Sequence, residues 1–219
     1  MILTPISRVP DAWFDDVRGK RVLCLASGGG QQAPVLAAAG AIVTSFDLSE
    51  EQLAKDKLVA ERDGLDIELV QGDMANLSCF ESGCFDLIFH PTSNVFAQNV
   101  RVVWQECHRV LATQGRLLSG FMNPDYFLFD HDALEAGEPL VVCNSLPFSE
   151  STDSAPDRLQ ERLDQCEALE FSHSLDDQIG GQIDAGFVIA GLYEDKWSDD
   201  ATRLNPFMPT SIATLAIKQ

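Results

Sequence analysis

Basic residues are scarce in this sequence. Only 15 Lys and Arg stand against 34 Asp and Glu, which gives a formal net charge of −19. Such a charge repels nucleic-acid phosphates and anionic membrane surfaces, so neither is expected as a partner. Long apolar runs are missing too, since none approaches the roughly 20 residues that cross a bilayer. The pattern of a secretory signal, a charged start before an apolar run, is also lacking. These absences predict a cytoplasmic protein.

Metal-binding and redox motifs are absent as well. None of the six cysteines belongs to a Cys-x-x-Cys pair, and they show no metal-ligand spacing with the four histidines. We therefore expect reduced thiols and no metal. With 45% hydrophobic residues, the chain of 219 residues can bury a core without disulfides, and its length favours one large domain. We expect a monomer or a weak homodimer.

Short apolar runs alternate with helical patterns between residues 20 and 121. Strands are predicted at 21–26, 41–46, 66–70, 85–89 and 116–121. Helices are predicted at 31–39, at 49–62, and along an apolar face through Trp104 that Gln114-Gly115 ends. In the second helix, Ser49 is the predicted N-cap with Gln52 as its capping-box partner. This alternation implies right-handed crossovers and a parallel sheet.

The pattern changes after residue 121. Residues 122–170 contain few apolar side chains, with a strand expected at 140–145 and a helix at 156–166, and we interpret them as a substrate lid. A helix ending at Gly186, a strand at 187–193 and the alternating "SIATLAIK", predicted to be antiparallel, follow. The prediction is a single domain, 1–219, with an N-terminal cap at 1–19. Its fold class is α/β, a Rossmann-like doubly wound sheet, mostly parallel with a C-terminal antiparallel strand and a lid-like insertion after the fifth strand.

The stretch "LCLASGGGQQ" ends the first predicted strand in three glycines. Ligands bind beyond the carboxyl ends of the strands in open α/β sheets, and glycine lets the backbone approach them closely. Asp47, at the end of the second strand, is placed to bind ribose hydroxyls. The pattern indicates a cofactor that contains a nucleoside. Gly28-x-Gly30-x-x-Ala33 also fits the dinucleotide fingerprint, which leaves NAD open at this point.

Three later segments narrow the choice. "VQGDM", "FDLIFHPTSN" and "VWQECHRVLATQGRLLSGF" resemble successive motifs of the class I S-adenosylmethionine (SAM) dependent methyltransferases, in particular a small bacterial branch of methyltransferase type 11. The resemblance runs from about Lys20 to the end of the chain. It implies SAM as cofactor, with binding positions at Ser27, Gly28, Gly29, Gly30, Asp47, Leu48, Gln52, Gly72, Asp73, Met74, His90 and Pro91.

The resemblance also implies a substrate side. His90 and Pro91, with Ser93 and Asn94 behind them, are expected nearest the sulfonium, and Tyr126 and His131 are candidates to contact the acceptor. His90 is the candidate general base if the acceptor must lose a proton. The alternative is that His90 only hydrogen-bonds SAM or a loop carbonyl.

Two positions depart from the family pattern of acid-x-Gly-x-Gly-x-Gly. Cys24 stands where the family has the acid that orients the methionine end of the cofactor, and Ala26 replaces the first glycine. Another group must then take over the role of that acid.

The resulting hypothesis is methyl transfer from SAM to a small-molecule acceptor by in-line displacement. The acidic surface and the lack of an Asn-Pro-Pro-Tyr type motif argue against nucleic-acid and amide acceptors. The alternatives are an NAD(P)-linked oxidoreductase and a non-catalytic SAM-binding module.

Overall fold

A single mixed sheet organises the protein. The computed structural model describes residues 1–198 and 200–219, and its strands are β1 (Arg21–Leu25), β2 (Ile42–Asp47), β3 (Ile67–Gln71), β4 (Phe85–His90), β5 (Leu111–Met122), β6 (Phe187–Asp195) and β7 (Ser211–Lys218). Their order is β3-β2-β1-β4-β5-β7-β6. β7 is antiparallel to both neighbours and the other pairs are parallel. The predicted α/β fold with a C-terminal antiparallel strand is confirmed.

The helices lie between the strands and in the insertion. They are α1 (Asp11–Phe14), α2 (Gln32–Ala38), α3 (Glu50–Asp63), α4 (Val100–Val110), α5 (His131–Glu135), α6 (Glu150–Asp153), α7 (Pro156–Asp164) and α8 (Gly181–Asp184). Two 3₁₀ turns, Asn94–Phe96 and Pro124–Leu128, and a π-helical turn, Asp176–Gly180, complete the list. No helix in the described part of the chain is both long and apolar enough to span a membrane.

The core lies on both faces of the sheet because the side chains of β1 alternate. Val22 and Cys24 pack on the face covered by α2, whereas Leu23 and Leu25 pack on the face covered by α4 and its Trp104. A central parallel strand buried on both faces is apolar throughout, which is why this segment was predictable.

The helix α3 shows which local signals decide its ends. The Ser49 side chain accepts a hydrogen bond from the Gln52 backbone N–H, and Gly64, at φ 65°, ends the helix as predicted. The prediction that the Gln52 side chain accepts from the Ser49 backbone N–H, the second hydrogen bond of a capping box, is wrong. The Gln52 side chain instead accepts from the backbone N–H of Gly29, and the Ser49 N–H donates to Asp47.

Three predicted elements differ from the structure. Helix α4 ends at Val110 and β5 starts at once, so Gln114, at φ 63°, lies within the strand rather than at a helix end. The strand expected at 140–145 is reduced to an isolated bridge between Phe129 and Val142, because no neighbouring strand pairs with it. The helix expected before Gly186 is a π turn followed by the short α8.

Candidate active site

A cavity of about 580 Å³ opens at the carboxyl ends of β1 to β4, where parallel α/β sheets bind ligands. Its size is within the range of small-molecule sites. Its walls come from the strand ends, the N-terminal segment and two distant loops. The lining residues are Ile2, Leu3, Thr4, Pro5, Ala26, Ser27, Gly28, Gln32, Phe46, Asp47, Leu48, Ser49, Gln52, Gly72, Asp73, Met74, Pro91, Thr92, Ser93, Phe96, Ala168 and Trp197.

The glycines after β1 serve two different purposes. Gly28 lines the cavity at φ 67°, with open space where a Cβ would be. Gly29 faces α3, and a Cβ there would overlap the backbone carbonyl of Gln52. Neither Gly29 nor Gly30 lines the cavity, and both donate their N–H groups to side chains of α3. Of the three glycines expected to bind the cofactor, only Gly28 therefore lines the cavity, and binding there stays a prediction.

The end of β2 places a carboxylate at the cavity wall. Asp47 Oδ1 accepts the Ser49 N–H at 2.9 Å, which fixes the side chain. Its Oδ2 accepts no hydrogen bond from the described residues and remains available to a ligand. Leu48, next in the chain, is 67% exposed at the rim of the cavity.

The end of β3 closes the same side. The Gly72 N–H donates to the Asp47 carbonyl at 3.0 Å, and a Cβ at Gly72 would collide with the Phe46 ring. Asp73 Oδ1 accepts the Ala75 N–H at 2.9 Å, which tightens the turn that presents Asp73 and Met74 to the cavity. The site thus has two carboxylates, Asp47 and Asp73, on one wall.

His90 lies beneath the cavity rather than in it. Its side chain has no solvent exposure and Nδ1 is 2.8 Å from the Leu25 carbonyl oxygen. Burial lowers the pKa of His90 to about 4, so the ring is neutral at pH 7. It lies on the face of the sheet that α4 covers, where the His90 and Trp104 rings form a T-shaped contact with centroids 6.0 Å apart. The expectation that His90 lies nearest the sulfonium is not met, because His90 does not line the cavity. Its contact with a backbone carbonyl is of the kind that the alternative described.

Of the other predicted substrate contacts, Ser93 and Pro91 line the cavity and Asn94 does not. The Asn94 amide is fully buried and exchanges hydrogen bonds with Gln178 at 2.9 and 3.2 Å. Its polar groups are thus satisfied inside the protein.

Tyr126 and His131 belong to a second cavity of about 370 Å³ within the insertion. Their rings stack at 3.8 Å, and His131 Nε2 lies 2.9 Å from the Tyr126 carbonyl oxygen. From residues 122–170, only Ala168 reaches the main cavity. The expected contact of Tyr126 and His131 with a ligand in the main cavity is therefore not met.

The N-terminal segment was missed as part of the site. Ile2 to Pro5 line the cavity, and Asp195 on β6 holds this segment. The carboxylate of Asp195 accepts from the Thr4 hydroxyl and from the N–H groups of Ile6 and Ser7, at 2.7 to 2.9 Å. Burial alone would raise the pKa of Asp195, but these bonds outweigh it and lower the pKa to about 2. No local sequence pattern signals a contact across almost the whole chain.

Asp56 is the second residue that sequence reasoning missed. It is 1% exposed and lies on the buried stripe of α3 with Leu53 and Ala60. The spacing of three and four residues along that stripe was a usable signal, because an acid on an apolar helix face needs a polar partner.

Comparisons with known proteins bear on the activity. A family model described as "Methyltransferase domain" matches residues 23–119. The uncharacterized methyltransferase YbaJ of Bacillus subtilis is 50% identical over 216 residues, which cover 99% of this chain and 83% of that protein.

Solved structures support the fold. An S-adenosylmethionine-dependent methyltransferase from Mesorhizobium loti superposes with a TM-score of 0.69 at 19% identity, covering 94% of each chain. The [4+2]-cyclase SpnF superposes with a TM-score of 0.63 at 18% identity, covering 95% of this chain and 79% of its own. At this low identity the superpositions establish the fold alone, and the fold does not by itself identify the reaction.

Proposed function

The chain belongs to the class I SAM-dependent methyltransferases, and from that premise we propose that it methylates a small molecule bound in the 580 Å³ cavity. Family membership decides against the oxidoreductase that the glycine spacing left open. One observation carries the proposal. The polar strand ends and a wall of apolar side chains, including Leu3, Phe96 and Trp197, bound a single continuous cavity.

In this proposal the strand-end half of the cavity holds SAM. Asp47 binds the ribose hydroxyls through its free oxygen. Leu48, Asp73 and Met74 border the adenine, with Gly72 allowing the close approach. Ser27 and Gly28 contact the methionine end. The basis is position, since all of these residues line one wall of the cavity at the ends of β1 to β3.

The other half holds the acceptor. Its lining includes Ile2, Leu3 and Pro5 of the N-terminal cap, residues 1–19, together with Phe96 and Trp197. These side chains favour an acceptor with substantial apolar surface. The net charge of −19 disfavours nucleic acid, and a cavity of about 580 Å³ has the size of a small-molecule site.

The chemistry then depends mainly on alignment. SAM supplies an electrophilic methyl group, and the protein holds the acceptor in line with it and excludes water. Asp47 and Asp73 are the only titratable side chains among the described lining residues. His90 does not line the cavity, and its Nδ1 lies 2.8 Å from the Leu25 carbonyl oxygen, so its ring does not contact a ligand there directly. The site therefore favours an acceptor atom that carries a free lone pair at neutral pH.

Calorimetric titration with SAM, S-adenosylhomocysteine and NADH tests the cofactor. We expect the first two to bind and NADH not to bind. The acceptor class is tested by transfer of labelled methyl from SAM to separate pools of small metabolites, RNA and protein. We expect label only in the metabolite pool, and label in the RNA or protein pool would overturn the small-molecule proposal.

A further inference from the structure

The end of β1 lacks the acid that the family pattern places there. Cys24 is fully buried, and the sheet register pairs it with Ser45 on β2. Paired residues of neighbouring parallel strands project to the same face of a sheet. The Cys24 thiol and the Ser45 hydroxyl therefore share the face that carries α2 and α3.

A carboxylate from another element reaches this face. Asp56 on α3 accepts the Ser45 hydroxyl at 2.6 Å through Oδ2. Its Oδ1 accepts the Gly30 backbone N–H at 2.7 Å. Because Asp56 binds the neighbour that is paired with Cys24, its carboxylate lies on the same face of the sheet as the Cys24 thiol. Burial, and after it the Asp56 charge, raises the pKa of that thiol.

Asp56 is an unfavourable group to bury without a function. It forms no ion pair with the described residues, and Asp47 nearby carries the same charge. Burial, followed by that neighbour, raises the pKa of Asp56, against the two hydrogen bonds from Ser45 and Gly30. An apolar residue here would avoid the desolvation of a carboxylate. What the carboxylate provides is a fixed position for Gly30, two residues beyond Gly28, the last residue of the glycine loop that lines the cavity.

We propose that Asp56 supplies from α3 the carboxylate that position 24 lacks, and that it positions the glycine loop for the methionine end of SAM by binding Gly30 and Ser45. Asp56 touches neither cofactor nor acceptor, so it is a positioning residue. The inference rests on the proposed SAM site. The proposal implies that an acid introduced at position 24 can replace the carboxylate of Asp56.

The test compares two ligands and a relocated acid. Affinities for S-adenosylhomocysteine and for 5′-methylthioadenosine, which lacks the amino-acid end, are measured by calorimetry for wild type, Asp56→Ala, Cys24→Asp and the double variant. We expect Asp56→Ala to weaken S-adenosylhomocysteine binding about tenfold, as for a lost charged hydrogen-bond acceptor, and to leave methylthioadenosine unchanged.

The double variant is the decisive member. Cys24→Asp alone is expected to weaken binding because two carboxylates then share one buried site. Cys24→Asp with Asp56→Ala should recover most of the wild-type affinity, which is strong non-additivity of the kind that contacting residues show. Asp63→Asn, at the exposed end of the same helix, is the matched control and should bind both ligands as wild type does.

The outcomes separate this inference from the proposed site. Equal losses for both ligands, or a double variant no better than Asp56→Ala, would overturn the positioning role. Wild-type affinity for S-adenosylhomocysteine in Asp56→Ala would overturn the positioning role as well. If Asp47→Ala nevertheless lowers that affinity, the proposed SAM site still holds. If neither aspartate variant changes affinity, the proposed site itself fails. Should Asp56→Ala not fold, the nearly isosteric Asp56→Asn is used for the same ligand comparison.

Discussion

The two halves of the cavity are built in different ways. The strand-end half takes its residues from the end of β2 and from the turns that directly follow β1, β2 and β3, so the order of strands in the sheet brings them together. The acceptor half takes Ile2–Pro5, Phe96, Ala168 and Trp197 from segments far apart in the chain. The first half follows from topology and local pattern. The second exists only once the whole molecule has folded.

The supports of the two halves differ accordingly. In the strand-end half the glycine loop is held by hydrogen bonds from its backbone N–H groups to Gln52 and Asp56 of α3. In the acceptor half the N-terminal segment depends on Asp195, near the end of β6, and on the Leu3 carbonyl that accepts from Thr92. Substitutions at one support should therefore leave the other half intact, and the following predictions use that separation.

The largest effect is expected at Gly29. Gly29→Ala forces a Cβ into the backbone of α3, where nothing can move without displacing the helix. The free energy of unfolding should fall by about 3 kcal/mol, as for severe overpacking, and SAM binding should be lost. Denaturant unfolding measures the first and calorimetry the second.

Gly28→Ala is the matched control. It meets open space and is unfavourable only through its positive φ, so it should lower stability by about 1 kcal/mol. Equal effects of the two substitutions would contradict the packing assigned to Gly29.

The next effect belongs to the acceptor half. Asp195→Ala removes the acceptor that Thr4, Ile6 and Ser7 share. The free energy of unfolding should fall by about 2 kcal/mol, the value of hydrogen bonds to a charged group, while S-adenosylhomocysteine affinity stays within about twofold because additivity holds for separated sites. Glu194→Ala, exposed on the same strand, should change neither quantity.

Acid should remove the difference between wild type and Asp195→Ala. The pKa of Asp195 is about 2 in the folded protein, below its ordinary value of 3.8. A carboxyl group with a lowered folded-state pKa stabilises fully above the unfolded pKa and loses that stabilisation as pH falls toward the folded one. The stability gap should be complete above about pH 4 and shrink toward pH 2. A gap that grows on acidification would contradict the assignment.

Asp47→Ala should affect the strand-end half alone. The loss of a charged partner for the ribose hydroxyls should weaken SAM binding by about 2 kcal/mol, roughly 30-fold. Methylthioadenosine, which keeps the ribose, should lose the same factor. An unchanged affinity for both ligands would remove Asp47 from the site.

The smallest effect is expected at Ala26, and it is a gain. Ala26 has φ 46°, a left-handed conformation that is unfavourable for a residue with a Cβ. Ala26→Gly relieves about 1–2 kcal/mol of backbone strain and loses about 0.5–1 kcal/mol because glycine has more chain entropy in the unfolded state. The free energy of unfolding should therefore rise by at most about 1 kcal/mol. Thermal unfolding measures it, and a lowered midpoint would show that the strain is not there.

The sequence predicts the strand-end half of the cavity better than the acceptor half. Strand ends, the cap at Ser49 and the stop at Gly64 depend on neighbours in the chain, and they were readable. His90 was misplaced although alternation along β4 puts it on the face of Ile88, because the sequence alone does not tell that this face is covered by α4 and its Trp104. Asp56 was overlooked between two lysines, since a charged run on a helix usually faces solvent. Residues Ile2–Pro5 carry no local signal at all.

The crystal structure of the protein with S-adenosylhomocysteine tests the central claim most directly. The account predicts density for one molecule in the cavity at the ends of β1 to β4, with its ribose at Asp47 and its amino-acid end beside Ser27 and Gly28. Density in the cavity around Tyr126 and His131 instead, with the strand-end cavity filled by the protein's own side chains, would contradict it.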